Sequence, residues 1–172
     1  MRKTSHFKAA ALLVFALVFS TTLFAQQKPV PSPRDSVSAT VAGSQITINY
    51  GSPSVKGRKV FGELEAYGKV WRAGANEATV FTTTKDIKVE GKPLPAGSYG
   101  LFAIPTEGNW TIIFNKVPKQ WGAFKYDESK DALRVTVKPV ASAMNERLVY
   151  KINAKGFTLN WDKLSVPVSI KK

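Results

Sequence analysis

The chain has 172 residues, with 25 lysines and arginines against 12 acidic residues and a formal charge of +13. It contains no cysteine, and its single histidine is His6, within the first 25 residues. Beyond those residues there is neither imidazole nor thiol. That excludes serine–histidine triads, cysteine nucleophiles, and zinc, copper or iron sites built on histidine or thiolate; no cofactor or metal is expected.

Residues 1–25 open with Arg2, Lys3 and Lys8, run apolar from Ala9 to Phe19, and reach Ala25 through Ser20, Thr21 and Thr22. A basic head, a short apolar stretch and a small residue before polar Gln26 and Gln27 are the features of a secretory signal peptide. The expected location is therefore periplasmic or secreted. An uncleaved anchor is the alternative, but the run is shorter than the about 20 apolar residues a spanning helix needs. Without cysteine there is no lipoprotein anchor, and no membrane span is expected after cleavage.

Removing 25 of the 172 residues leaves 147, enough for one domain held by its core without disulfides. Basic side chains fall from 25 to 22 against 12 acids, so the formal charge falls from +13 to +10. Such a balance often marks nucleic-acid binding. An exported chain meets lipopolysaccharide, anionic glycans and lipid headgroups instead, so no nucleic-acid partner is expected. The lysines are scattered rather than blocked, which also fits plain solubility charge.

Residues 26–35, with Pro29, Pro31 and Pro33, read as an extended lead-in to a domain over 36–172. In "QITINY", Ile46, Ile48 and Tyr50 alternate with Gln45, Thr47 and Asn49. The same period of two sets Leu133, Val135 and Val137 on one face, then Phe157, Leu159 and Trp161, then Leu164, Val166, Val168 and Ile170. This is the pattern of half-buried antiparallel strands. "SYGLFAI" is apolar on both faces, which predicts a central strand. Pro167 has no N–H to donate, which predicts an edge for the last strand. Turn signals at Ala42-Gly43, Glu90-Gly91, Pro95-Ala96-Gly97, Gly108-Asn109 and Lys155-Gly156 separate the runs. The expected fold is all-β, a single antiparallel, jelly-roll-like β-sandwich with one long irregular loop segment; a β-barrel is the alternative. The only helical candidates are brief: "FGELEAYG", where Phe61, Leu64 and Tyr67 fall at helical spacing, and a turn near Ser142 to Glu146.

Between Gly51 and Thr79 the alternation stops for almost thirty residues. Compact domains seldom carry so long an irregular segment unless it is functional or disordered. Val55, Val60, Phe61, Leu64, Tyr67, Val70 and Trp71 give this one material to pack. Lys56 and Arg58 flank Gly57, and Trp71 and Arg72 precede "AGANEAT", which contains Asn76 and Glu77. Arginine presents a planar fork for carboxylate, phosphate or sulfate. A tryptophan face, an amide and a carboxylate beside it form a candidate site for a small anionic or glycan ligand. The competing reading is a structural corner, in which Arg72 and Glu77 pair and Asn76 satisfies local backbone.

A second candidate is Trp121, set among lysines and glycine in "KQWGAFKYDE" and so expected at the surface. Trp110, in phase with Ile112 and Phe114, is expected in the core. A carboxylate-dependent glycan hydrolase is the alternative to a non-catalytic binding or interaction module. It needs two acids about one bond, from Glu63, Glu65 and Glu77 or from Asp127, Glu128 and Asp131.

The runs "YGSPSVKGRKVFGELEAYGKVWRAGANEATVF" and "LPAGSYGLFAIP" closely resemble the DUF2911 family of uncharacterised exported bacterial proteins, common in Bacteroidetes. The resemblance extends from about Ser32 to Ile170, with Ser52 where the family pattern usually has arginine or a similar residue. It implies an exported protein, and it carries no catalytic residues onto this chain.

Overall fold

The computed structural model describes residues 30–172, so the signal-peptide reading of residues 1–25 lies outside the described residues. The domain is all-β. Its strands are β1 (Arg34–Val41), β2 (Ser44–Gly51), β3 (Thr79–Thr83), β4 (Ile87–Val89), β5 (Lys92–Leu94), β6 (Gly97–Ile104), β7 (Trp110–Asn115), β8 (Asp131–Val137), β9 (Val140–Asn153) and β10 (Gly156–Lys171). A six-stranded sheet has the order β1-β2-β3-β6-β7-β8, and a four-stranded sheet has the order β5-β4-β10-β9. Every pairing between strands is antiparallel, and the sheets do not close into a barrel.

The alternation read from the sequence is the packing that forms. Ile46, Ile48, Tyr50, Val135, Val137, Phe157, Leu159, Trp161, Val166, Val168 and Ile170 are all buried in one core. The lead-in ends earlier than expected: Arg34 and Asp35 already pair with Gly51 and Tyr50, and the Tyr50 hydroxyl donates to Asp35 Oδ2 at 2.9 Å.

β6 is central, and its two apolar faces have separate causes. Leu101 and Ala103 enter the main core. Phe102, with Ala78 and Ile113, forms a smaller cluster against which Val70, Ile104, Ala123 and Tyr126 pack. Part of the second face is therefore covered by residues of the loop that follows β7.

Three expectations are corrected. β10 is not an edge strand but lies between β4 and β9. Pro167 falls between its two paired stretches, with β9 up to Ser165 and with β4 from Ile170, so its missing N–H costs no ladder bond. "FGELEAYG" forms turns rather than a helix. Gly62 sits at φ +94°, and Leu64 and Glu65 donate five residues back to Lys59 and Val60. Residues 142–146 belong to β9, where Asn145 pairs with Asp162 amid register shifts.

The irregular segment is ordered because it feeds the core. Phe61 packs edge-on against Trp110 of the six-stranded sheet at 4.7 Å and against Trp161 of the four-stranded sheet at 5.9 Å. Trp71 stacks on Trp161 at 5.7 Å, and its backbone exchanges two 2.8 Å hydrogen bonds with Ala103. Phe61 thus bridges the two sheets. Truncating a buried Phe typically costs about 3–5 kcal/mol. Phe61→Ala should lower unfolding stability by that amount in urea, and a loss under about 1 kcal/mol would show that Phe61 is not a keystone.

Candidate functional site

The corner "VWRAGANEAT" is mostly closed upon itself. Trp71 is buried, and its indole N–H donates to the Gly74 carbonyl at 3.1 Å. The Ala73 carbonyl accepts from Thr79 Oγ1 at 2.9 Å and from the Tyr150 hydroxyl at 2.8 Å, which fixes Ala73 at a φ of +49°. No side chain fits at Gly51, where a Cβ would meet the Ala75 carbonyl, or at Gly74, where it would lie 2.7 Å from Thr79 Oγ1. The short residues of this motif thus let two backbone segments lie against each other.

Arg58 turns back on its own loop, donating from Nε to the Val55 carbonyl at 3.0 Å and from Nη2 to the Ser54 carbonyl at 2.6 Å. Lys56 sits in a turn at φ +51° with its side chain exposed, and its backbone N–H donates to Glu146 Oε1 at 3.0 Å. Ser52 is buried, with its hydroxyl donating to the Leu148 carbonyl. It serves the core.

Arg72 does not pair with Glu77; the carboxylate whose charge it feels is that of Glu65. Burial pushes the Glu65 carboxyl up to about 7, against the pull of Arg72 and then Arg58. The Nε of Arg72 is buried without a hydrogen-bond partner among the described residues. Glu63 is separate, 3.4 Å from Lys59 on the surface.

Asn76 and Glu77 lie elsewhere, against the loop after β7. Asn76 takes a φ of +64°, which asparagine tolerates better than most residues, and its Nδ2 donates to the Ser32 carbonyl at 3.2 Å. Its own carbonyl accepts from the Gly122 N–H at 3.0 Å, and the Ala78 N–H donates to the Gln120 carbonyl at 2.9 Å. Glu77 and Trp121 therefore stand opposite each other in an antiparallel bridge. Of the primary candidates, Asn76 and Glu77 thus meet the secondary candidate Trp121 here, and the other four do not.

Here the surface opens into a groove of about 600 Å³, whose lining includes Arg34, Asn49, Glu77, Lys119, Gln120 and Trp121. Trp121 is 61% exposed. Glu77, half exposed, lies 3.8 Å from Arg34 Nη1. Arg34 and Asn49 gave no signal in the sequence: they sit in ordinary strand patterns, and only the pairing of β1 and β2 carries them to the groove.

The loop bearing Trp121 is braced at its base. Asn115 Nδ2 donates to the Asp127 carbonyl at 2.9 Å and to Asp131 Oδ1 at 2.8 Å, while its Oδ1 accepts from the Val117 N–H. The Tyr126 hydroxyl donates to Asp131 Oδ2, and Arg134 donates to both that oxygen and the Tyr126 oxygen, each at 2.6 Å. Burial, then the bond to Asp131, pushes the Tyr126 hydroxyl up to about 12, so it remains a donor across the physiological range. The acids Asp127, Glu128 and Asp131, weighed as hydrolytic groups, are thus engaged around this brace: Asp127 caps the turn at Ser129, and Glu128 lies 3.0 Å from Arg134.

These features define an all-β sandwich with a braced surface loop beside a shallow groove. The chain belongs to the family described as "Protein of unknown function (DUF2911)", which matches residues 32–170. No curated protein and no solved structure matches it.

The Glu65 carboxyl gives a test of the Arg72 corner. In the unfolded chain it ionises near its ordinary value of 4.5, whereas the fold holds the proton up to about 7. Stability should therefore fall as pH rises between those values, with the full penalty present above the upper one. Glu65→Gln should raise stability on the order of 2 kcal/mol near pH 8 and change it little near pH 4, read from urea midpoints. A variant equally shifted at both pH values would place the effect outside this ionisation.

Proposed function

We propose that this protein is an exported, non-catalytic binding module of the cell envelope, and that its ligand is a glycan held in the groove beside Trp121. The observation carrying this reading is the indole of Trp121, left 61% exposed on a loop that is otherwise pinned by hydrogen bonds. A large aromatic ring held in water at a fixed position suits the apolar face of a sugar, while flanking polar groups suit its hydroxyls. Asn49, Glu77 and Gln120 supply such groups along the same groove. Pre-positioning of the loop reduces the ordering cost on binding.

Glycoside hydrolysis calls for two carboxyl groups about the scissile bond. The groove lining offers one, Glu77. Glu65, whose raised pKa would suit a general acid, is not among those lining residues. Binding is therefore the reading the groove supports. Export, the compartment this reading assumes, rests on the basic and apolar character of residues 1–25.

The test is a glycan array probed with the purified protein and with Trp121→Ala. Some glycans should be retained, and the substitution should weaken them about tenfold, equivalent to about 1.4 kcal/mol, with an unchanged melting midpoint. An array without hits, or hits indifferent to the substitution, would remove the proposal.

A further inference from the structure

Trp121 stands between two depressions rather than in one. The first is the groove just described. The second, about 460 Å³, is lined by Val117, Lys119, Gln120, Trp121, Phe124 and Lys125. Lys119, Gln120 and Trp121 line both. Each depression falls within the roughly 300–1,000 Å³ of a small-ligand site. Because they share a wall, a ligand filling both must be longer than one small molecule and must cross Trp121. Phe124, 85% exposed, offers the second depression an aromatic ring of its own.

Charge is distributed along the same line. Arg34 lines the first depression, Lys125 the second, and Lys119 both, against the single carboxylate of Glu77. That carboxylate lies against Arg34, so the two largely offset each other and the lysines set the net sign. None of the three cations is buried: Arg34, Lys119 and Lys125 are all exposed. Singly, such exposed charges contribute little. Against a ligand that repeats its charge from unit to unit, they act together.

Building on the glycan reading above, we propose that the ligand is an extended acidic polysaccharide. It lies across both depressions with sugar faces on Trp121 and Phe124 and its carboxylates or sulfates toward Lys119, Lys125 and Arg34. Three properties follow from this arrangement. Affinity rises with chain length, because one chain engages two adjacent subsites. Removing the ligand's charge weakens binding without abolishing the aromatic contact. Salt screens the contribution of the exposed cations, so the preference for acidic chains shrinks as ionic strength rises.

The experiment uses the purified protein and matched pairs of chains that differ only in charge: pectate against its methyl ester, and sulfated against unsulfated dextran, each from single units to oligomers. At low salt the acidic oligomer of at least one pair should bind roughly tenfold tighter than its neutral match and more tightly than its own single unit. In Lys119→Glu/Lys125→Glu the acidic oligomer should fall to about the level of the neutral one. In Trp121→Ala both should weaken about tenfold, with the fold checked by the melting midpoint. Equal, Trp121-dependent binding within every pair would overturn the acidic preference and leave the glycan reading standing. Absence of Trp121-dependent binding to any chain would overturn both. Acidic binding undiminished by Trp121→Ala would assign the preference to the general basic surface. Trp121-dependent binding to phosphatidylglycerol vesicles, in place of the chains, would replace the polysaccharide with a lipid headgroup.

Discussion

Phe61, wedged between Trp110 of one sheet and Trp161 of the other, is the contact on which the rest of the arrangement depends. It anchors an irregular stretch that has no strand ladder of its own. With Phe61 and Trp71 buried, the chain between them must loop outward, and the chain after Trp71, which itself pairs with Ala103, must return along Gly51. That return carries Asn76, Glu77 and Ala78 to the loop after β7, where they bond to Gln120 and Gly122. The groove beside Trp121 is thus a downstream consequence of how the core is filled. Apolar burial fixes the segment, and the hydrogen bonds then choose which polar groups face outward.

The same dependence explains what was legible in the sequence. Period-two alternation reports burial directly, so Ile46, Val135, Leu159 and their neighbours identified both the strands and the sandwich. The apolar faces of β6 were readable as a central strand, but not the reason for the second face. That reason is a cover made by Ala123 and Tyr126, which follow Phe102 by 21 and 24 positions. Pro167 misled because the rule for proline applies to local pairing, and β10 changes partner on either side of that residue. The helical spacing of Phe61, Leu64 and Tyr67 misled because only Phe61 is buried, while Gly62 adopts a backbone conformation that stops a helix.

For the site, residue chemistry was legible and grouping was not. Lys56, Arg58, Trp71, Arg72, Asn76 and Glu77 are close in sequence, yet they divide four ways, with Lys56 left exposed in its own turn. Trp71 enters the core, Arg58 and Arg72 exert their charge on Glu65, and Asn76 and Glu77 join Trp121. A turn at Ala73, with φ +49°, lies between Arg72 and the two residues that leave it. Sequence distance carries no information about that reversal. Arg34 and Asn49 could be assigned to the groove only from strand register, which depends on the complete sheet.

The groove differs from the Arg72 corner in the state of its polar groups. In the corner, Arg58 meets backbone carbonyls and Trp71 meets the carbonyl of Gly74, so much of their bonding capacity is spent internally. Around Trp121 the internal bonds are chiefly backbone bonds and a partly buried brace of Asn115, Tyr126, Asp131 and Arg134, leaving the side chains of Trp121, Phe124, Lys119 and Lys125 toward water. A rigid base under exposed aromatic and cationic groups is what a preorganised binding surface requires. Tryptophan fluorescence tests this most directly, because Trp71, Trp110 and Trp161 are buried and Trp121 is the exposed member of the four. Acrylamide should quench a Trp121 component in the free protein, and a bound acidic polysaccharide should protect that component while the buried three stay unchanged. A polysaccharide that binds yet leaves Trp121 fully open to quencher would contradict the account.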